Sequence, residues 1–263
     1  MSGSRATVDD EELSRFSAQA DAWWDPDGSF RALHRLNSTR LSFIRSRLAA
    51  HFQRDIRHLR PFNRLTLLDI GCGGGLAAEP MARLGFTVTG IDAGAEAIAA
   101  ARSHAQAAGL KIDYRIADAE SIADVGRRFD VVLALEVVEH VANPGVFWRC
   151  LGDMVTPEGA VIIATLNRTA RSFALAIVGA EYILGWLPHG THDWRKFLRP
   201  SELILGLRRN HLNSSEIVGV TYNLRAAKWV LSRDLEVNYI VMATRQRGDA
   251  DRLHPSLGGI QGI

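Results

Sequence analysis

The run Leu68-Asp69-Ile70-Gly71-Cys72-Gly73-Gly74-Gly75 decides the fold of this chain, because it joins the end of a short apolar strand to a glycine-rich turn. The strand covers residues 65–70, and a helical pattern over residues 76–84 follows the turn. Glycine lets the backbone adopt positive φ and lets a ligand approach closely, while the amino end of the next helix attracts an anion. The run therefore predicts a strand–turn–helix unit that binds a nucleotide-like cofactor.

The segments after the turn alternate between strand and helix patterns. We predict strands at residues 87–91, 112–116, 129–135 and 159–166, and helices at 95–108 and 143–154. Such alternation indicates a parallel, doubly wound sheet. A helix at 201–209 precedes two last strands, 215–222 and 237–244, which we expect to pair antiparallel. The chain is therefore predicted to be an α/β protein with a seven-stranded, mostly parallel sheet.

A single domain accounts for the whole length of 263 residues. Residues 1–60 carry two helical patterns, at 9–22 and 37–52, which we interpret as a helical cover on the core, residues 61–166. Residues 168–200 break the rhythm with apolar, aromatic and basic residues, so we treat them as an insertion after the fifth strand. The chain then continues with a helix and strands over residues 201–245 and a polar tail over 246–263.

Composition argues against several classes of protein. The 31 Lys and Arg residues nearly balance the 29 Asp and Glu residues, which gives little support to nucleic-acid binding. Two cysteines cannot form a disulfide framework, and the polar, acidic amino terminus lacks the pattern of a secretory signal, so we expect a cytoplasmic protein. No window reaches the ~20 apolar residues that cross a bilayer. Any membrane contact is therefore expected to be peripheral.

The spacing of the glycines separates two kinds of cofactor site. The dinucleotide fingerprint needs Gly or Ala three positions after its second glycine, and Leu76 stands there. The remaining Gly-x-Gly-x-Gly pattern, preceded by Asp69 and followed by Asp92 at the end of the second strand, resembles motif I and its partner acid in class I methyltransferases. That resemblance implies that Gly71 and Gly73 approach S-adenosylmethionine and that Asp92 binds both ribose hydroxyls. An NAD enzyme also uses an acid at that strand end.

A third acid, Asp118, follows the third predicted strand, where the same pattern has an acid that accepts the adenine amino group. Each acid taken alone also fits a helix cap or a solvated loop residue. Three acids at three successive strand ends favour S-adenosylmethionine as the cofactor.

Several strings spread over the chain together resemble one family. They are Trp23-Trp24-Asp25, Leu33-His34-Arg35-Leu36-Asn37 with Arg40, residues 68–75, Glu136-Val137-Val138-Glu139-His140-Val141, Thr165-Leu166-Asn167-Arg168, Gly179-Ala180-Glu181-Tyr182-Ile183-Leu184, Gly190-Thr191-His192-Asp193 and Val237-Asn238-Tyr239. The family is the ubiquinone-biosynthesis O-methyltransferases, which have a Rossmann-like class I fold. The resemblance covers residues 11–244.

The resemblance implies four cofactor contacts, from Arg40, Gly71, Asp92 and Leu135. An arginine grips a carboxylate through two parallel hydrogen bonds, so Arg40 suits the carboxylate of S-adenosylmethionine. For an arbitrary arginine, a surface ion pair is the alternative.

The sequence Glu136-Val137-Val138-Glu139-His140 follows the buried fourth strand and places two carboxylates and an imidazole at the cofactor edge. Methyl transfer to a phenol requires loss of a proton whose pKa is about 10. Glu136, Glu139 and His140 could ligate Mg²⁺ or another divalent cation that lowers this pKa, as the family resemblance implies. Alternatively, His140 is the general base and Glu139 orients it. A third interpretation has Glu136 packed near the cofactor and Glu139 capping the next helix.

The insertion contains an apolar run, residues 173–180, and carries Tyr182, Trp186 and Trp194. The flanking basic residues are Arg168, Arg171, Arg195, Lys196 and Arg199. The insertion is too short and too broken to span a bilayer, but it suits an amphipathic element in a lipid headgroup layer. A dry lid or a core helix is the alternative. The family resemblance favours a protein that is peripherally associated with the inner membrane.

The resemblance implies an O-methyltransferase that acts on polyprenylated catechol or quinol substrates, in two steps of one pathway, with a ubiquinone-biosynthesis complex as a further partner. Three other functions remain open from the sequence. They are methylation of another phenol or of a carbon centre, NAD-dependent redox chemistry, and cofactor binding without catalysis.

Overall fold

The computed structural model describes residues 23–25, 28, 31–174 and 193–245. Within these residues, eight strands form one sheet. The strands are β1 (Thr66–Ile70), β2 (Thr87–Asp92), β3 (Asp113–Ile116), β4 (Phe129–Leu135), β5 (Val155–Leu166), β6 (Leu212–Asn223), β7 (Lys228–Ser232) and β8 (Asn238–Arg245). Their order across the sheet is β3-β2-β1-β4-β5-β8-β6-β7. This arrangement confirms the α/β, Rossmann-like fold class.

Helices precede or follow most of these strands. They are α1 (Arg31–His51), α2 (Ala78–Arg83), α3 (Ala95–Ala107), α4 (Ala119–Asp124), α5 (Pro144–Met154), α6 (Ala170–Ser172) and α7 (Pro200–Arg208). Short 3-10 turns lie at Val138–His140 and Trp194–Lys196. Helix α4 has only six residues and did not emerge from the periodicity of the sequence.

The first five strands are parallel, and the order of the sheet reverses beside β1. Strand β1 pairs with β2 on one side and with β4 on the other, with Ile70 opposite Ile91 and Ala134. In a sheet of this kind, ligands bind in the crevice at the carboxyl ends of the strands where the order reverses. The glycine turn and the segment after β4 both begin at this crevice.

The other end of the sheet is antiparallel, and it corrects the predicted strand count. Strand β8 lies antiparallel between β5 and β6, as we expected for the last two strands. An eighth strand, β7, pairs with β6 in a hairpin, so the prediction of seven strands was wrong by one. Strand β7 has five residues, of which only Trp229-Val230-Leu231 are apolar, between the polar ends Lys228 and Ser232. Three adjacent apolar residues do not distinguish a strand from a loop or a turn of helix.

Both faces of the sheet are covered. One face packs against α1, α2 and α3, with Leu67, Leu133 and Ile162 fully buried in the sheet. The other face packs against α4, α5 and α7, with Val132 and Ile163 equally buried. This two-sided burial explains why β4 is an almost unbroken apolar run.

Helix α1 is the described part of the predicted amino-terminal cover, and it begins at Arg31 instead of residue 37. Its residues Phe43, Ile44 and Leu48 are buried against the sheet. Arg47 donates two hydrogen bonds to the carboxylate of Glu216 on β6, at 2.6 and 2.8 Å. The helix is therefore attached to the sheet through an apolar face and an ion pair.

Three predicted segments fall wholly or partly outside the described residues. They are the helix at residues 9–22, most of the insertion between residues 168 and 200, and the tail from residue 246. Within the described ranges, every helix is too short or too polar to cross a membrane.

Candidate functional site

The glycine turn between β1 and α2 has the backbone geometry that its sequence predicts. Gly71, Gly73 and Gly75 have φ values of +64°, +51° and +91°. Cys72 N–H donates to the carbonyl of Ile91 at 2.9 Å, so the turn is fixed to the end of β2. Because L-residues rarely adopt positive φ, glycine is needed at all three positions.

These glycines also make room for side chains of the protein itself. A Cβ atom on Gly71 would lie 2.5 Å from Val137, one on Gly73 would lie 2.4 Å from the Trp23 indole, and one on Gly75 would lie 2.3 Å from the Tyr114 hydroxyl. All three distances are far below van der Waals contact. The turn is therefore surrounded by side chains from the amino-terminal segment, from β3 and from the segment after β4.

Asp92 stands at the carboxyl end of β2 and is bound directly to the turn. Its Oδ2 accepts a hydrogen bond from Gly73 N–H at 2.9 Å, and its Oδ1 accepts one from Gly94 N–H at 2.8 Å. Burial raises the pKa of this carboxyl, and the two N–H groups oppose that rise. Each oxygen has a second lone pair, so the fixed carboxylate can accept two more hydrogen bonds, as a ribose diol requires.

Asp69 is the acid that precedes the turn, and its side chain is only 2% exposed. Its Oδ2 has no hydrogen-bond partner among the described residues. Burial raises the pKa of Asp69 to about 7; the charge of Asp92 adds to this effect, and a hydrogen bond from Ala78 N–H opposes it. An unpaired buried carboxylate oxygen next to the turn fits a ligand that carries positive charge, as S-adenosylmethionine does.

Asp118 lies at the same edge of the sheet and caps α4. Its Oδ1 accepts a hydrogen bond from Ser121 N–H at 2.8 Å. The loop that carries it is joined to β2, because Ala117 N–H donates to the Asp92 carbonyl at 3.0 Å. The structure thus realises the helix-cap interpretation of Asp118, and its adenine contact stays a prediction.

Arg40 and Glu136 join the cover to the end of β4. Arg40 on α1 is 2% exposed, and its Nη2 donates to Glu136 Oε1 in a salt bridge. Glu136 has a φ of +56°, a left-handed conformation that is unusual for a residue other than glycine. Such local strain is often found at functional sites. Leu135, the residue before it, ends β4 and is partly buried.

Glu139 is buried behind Glu136, with 2% exposure. The hydroxyl of Thr165 on β5 donates a hydrogen bond to Glu139 Oε2 at 2.8 Å. Burial raises the pKa of Glu139 well above its usual range, and the charge of the neighbouring Glu136 raises it further. Burial therefore favours the protonated form of Glu139, whose Oε2 is bound by Thr165 and whose Oε1 has no hydrogen-bond partner among the described residues.

His140 ends the short 3-10 turn and is partly exposed at the rim of the crevice. The chemistry of Glu136, Glu139 and His140 suits a divalent cation, but Glu136 faces Arg40, and Glu139 faces Thr165. Within residues 31–174 and 193–245, as in the short described pieces before them, no three such side chains are gathered to hold a metal ion. The metal site stays a prediction that this arrangement does not support.

The structure brings three further residues to this edge, which the sequence analysis quoted only within the family strings and did not predict as site residues. Thr165 and Tyr239 are opposite each other on β5 and β8, and both are fully buried near Glu139. Trp23 lies on the glycine turn. A threonine at the end of an apolar strand was the available signal for Thr165. Nothing in the local sequence connects the other two residues with the site.

Comparisons with known proteins agree on the class of fold. A family model described as "Methyltransferase domain" matches residues 68–163. A solved magnesium protoporphyrin IX methyltransferase from Synechocystis with bound SAH has a TM-score of 0.60 at 18% identity, over 90% of this chain and 94% of that one. A SAM-dependent methyltransferase from Clostridium acetobutylicum has a TM-score of 0.58 at 12% identity, over 89% of this chain and 98% of that one.

Comparisons of sequence are more specific. A protein of Parvibaculum lavamentivorans named ubiquinone biosynthesis O-methyltransferase is 53% identical over 92% of this chain and 96% of its own length. A mitochondrial protein of Arabidopsis thaliana with the same name is 48% identical over 94% of this chain and 78% of its own.

The buried carboxyl of Asp69 predicts a pH-dependent loss of stability. Its pKa of about 7 in the folded chain lies above the unfolded value. Folding therefore becomes less favourable as the pH rises from about 4 to about 7, by roughly 4 kcal/mol at most, and changes little above that range. Replacing Asp69 with Asn removes this contribution.

We expect the free energy of unfolding of Asp69→Asn, relative to wild type, to rise by roughly 2 to 3 kcal/mol between about pH 5 and pH 8 in urea titrations. Asp153→Asn, at an exposed position on α5, is the matched control and should follow the wild-type curve. Parallel curves for wild type and Asp69→Asn would show that this carboxyl does not titrate in the expected range.

Proposed function

Because the chain belongs to the ubiquinone biosynthesis O-methyltransferases, we propose that it transfers the methyl group of S-adenosylmethionine to a ring hydroxyl of a polyprenylated catechol or phenol. The acceptors of this proposal are 3-demethylubiquinol and 2-polyprenyl-6-hydroxyphenol. One observation of the structure supports it most directly. The Arg40–Glu136 salt bridge connects two groups of residues. One group is expected to bind the cofactor, and the other consists of the acidic and imidazole residues at the end of β4.

The residues around the glycine turn fit the proposed cofactor. Asp92 offers two oxygens that backbone N–H groups hold in place, which suits a ribose diol. Arg40 makes one hydrogen bond among the described residues, through Nη2, so its other N–H groups can receive a carboxylate. When bound, S-adenosylmethionine supplies a methyl group on a positively charged sulfur, which an oxygen nucleophile displaces in line.

His140 is the residue that takes the proton from the ring hydroxyl in this proposal. It is partly exposed at the rim, and imidazole is the side chain that most often serves as a general base. Glu139 is a poorer candidate, because burial and the charge of Glu136 raise its pKa and favour its protonated form. The hydrogen bond from Thr165 ties the short turn that carries His140 to β5, so Glu139 positions this turn. No step of the proposal passes through a metal ion.

Turnover with S-adenosylmethionine and a short-chain demethylubiquinol, with and without a chelator, tests the proposed function. We expect His140→Ala to lower kcat by about 100-fold or more, with the loss shrinking as the pH approaches the phenol pKa of about 10. His58→Ala is the matched control, because His58 is exposed and lies between α1 and β1, outside the segment after β4 that carries His140.

One result would count against this acceptor, and two others would count against the proposed mechanism. Methylation of other phenols but not of the demethylubiquinol would assign a different acceptor. Full activity of His140→Ala would remove the proposed base, and loss of wild-type activity with chelator would restore the metal interpretation of Glu136, Glu139 and His140.

Arg40 should be essential for the affinity of the cofactor. Lysine keeps the charge but cannot form two parallel hydrogen bonds, so Arg40→Lys is expected to weaken binding of S-adenosylhomocysteine by roughly 10-fold or more in calorimetry. Arg47→Lys is the matched control, because Arg47 lies on the same helix and pairs with Glu216. Equal affinities for both variants would show that Arg40 does not bind the cofactor.

We further propose that the protein is peripherally associated with the inner membrane through its insertion. Its acceptor would then enter the site from this membrane. The described base of the insertion supports this: Phe173 is 46% exposed, its ring lies 6.2 Å from that of Trp194, and Arg171, which pairs with Asp234, stands two residues before it. Assembly into a complex with other enzymes of the pathway stays a prediction.

Co-sedimentation with anionic lipid vesicles tests this contact. Phe173→Ser should reduce the bound fraction, since burying an aromatic side chain contributes about 1.5 to 3 kcal/mol. Leu224→Ser, at an 85% exposed position on the β6–β7 turn, is the control that should bind as wild type does. Wild-type protein that stays in the supernatant would contradict the membrane contact.

A further inference from the structure

Two adjacent tryptophans cover the glycine turn, and the proposed mechanism does not yet use them. The side chain of Trp23 lies against the backbone of Gly73 and Gly74, since a Cβ atom on either glycine would come within 2.5 Å of it. The ring is 9% exposed and packs with Leu76 and Ala97. Trp23 therefore packs directly on the glycine turn.

Trp24 attaches this segment to the core at two points. Its Nε1 donates to the Gly74 carbonyl at 2.9 Å. Its ring stacks on the His104 imidazole of α3, with 3.5 Å between ring centroids and 4° between planes. His104 Nδ1 in turn contacts Glu79 Oε1 of α2 at 2.7 Å, and Glu79 is 2% exposed. Trp24 is thus stacked on a side chain that a buried carboxylate orients.

A third attachment comes from α1. His34 Nε2 lies 2.9 Å from the carbonyl oxygen of Trp23, and the His34 ring meets the edge of the Trp24 ring. We call Trp23, Trp24, His34 and His104 the aromatic clasp. Its members come from three places in the chain and converge on a turn of five residues.

The clasp lies beside the residue expected to hold the ribose. Gly73 is covered by Trp23, and the N–H of the same glycine donates to Asp92 Oδ2. A nucleoside on the Asp92 carboxylate would therefore lie next to Gly73, the residue that the Trp23 side chain contacts. An aromatic ring at that position shields the nucleoside from water and adds apolar contact.

We propose that Trp23 forms a wall of the cofactor site and that Trp24, stacked on His104, holds this wall closed, so that the aromatic clasp sets the rate at which the cofactor leaves. This inference rests on the proposed function, because it requires that S-adenosylmethionine binds at the turn. Trp23 is a binding residue in this account, and Trp24 and His104 are positioning residues.

Two consequences distinguish this role from simple packing. The fluorescence of Trp23 should change when S-adenosylhomocysteine binds, because a nucleoside then lies against its indole. Weakening the attachment at Trp24 should raise the dissociation rate of the cofactor and leave the melting temperature close to that of wild type, because the clasp is peripheral to the two main cores. Packing alone predicts neither effect.

Stopped-flow fluorescence with S-adenosylhomocysteine provides the test. We expect the wild-type signal to be lost in Trp23→Phe and the dissociation rate to rise about tenfold or more in Trp24→Ala, with Trp24→Phe in between because it keeps the stacking and loses the hydrogen bond. His104→Ala removes the stacking partner and should also speed dissociation, which keeps the test available if Trp24→Ala does not fold. Trp229→Phe, in an aromatic pair with Tyr222 on the far hairpin, is the control.

The outcomes separate the clasp from the proposed function. Dissociation rates within about twofold of wild type in Trp24→Ala and His104→Ala, with the binding signal retained in Trp23→Phe, would overturn the clasp alone. Wild-type protein that binds no S-adenosylhomocysteine in calorimetry would overturn the proposed function, and the clasp with it.

Discussion

The close packing around the glycine turn is the constraint on which the rest of this structure depends. Three glycines at positive φ bring the backbone within contact of Val137, Trp23 and Tyr114, which belong to three other elements. The sequence alone explains these glycines by the approach of a cofactor. The structure adds a second reason, since the same positions let the protein close around its own turn. Cofactor binding and the assembly of the edge therefore require the same residues.

Buried charge is the second organising feature, and it is arranged in two groups. Asp69 and Asp92 stand under the turn, where their mutual repulsion and burial favour a cationic ligand. Arg40, Glu136 and Glu139 stand at the end of β4, where Arg40 pairs with Glu136 and burial raises the pKa of Glu139. A buried guanidinium is stable only beside a counter-charge, so the cover helix α1 and the segment after β4 depend on each other.

The parallel half of the sheet and its crevice could be predicted, because each strand and every helix there except α4 has the periodicity of its own class. The hairpin strand β7 could not, because only three adjacent apolar residues between polar ends mark it. Asp118 caps a helix that was itself too short to predict, and its expected contact with adenine stays a prediction. Contacts such as Arg40 with Glu136, 96 positions apart, follow from tertiary packing that no local pattern encodes. The family resemblance brought both residues forward, and only the structure shows that they meet.

The central claim is that this crevice holds S-adenosylmethionine on the glycine turn and presents its methyl group to an acceptor at the end of β4. A crystal structure with S-adenosylhomocysteine and a short-chain quinol tests it most directly. We predict both ribose hydroxyls on Asp92, the cofactor carboxylate on Arg40, and an acceptor hydroxyl within hydrogen-bond distance of His140. A nucleoside bound away from Asp92, or an acceptor ring remote from residues 136–140, would contradict the account.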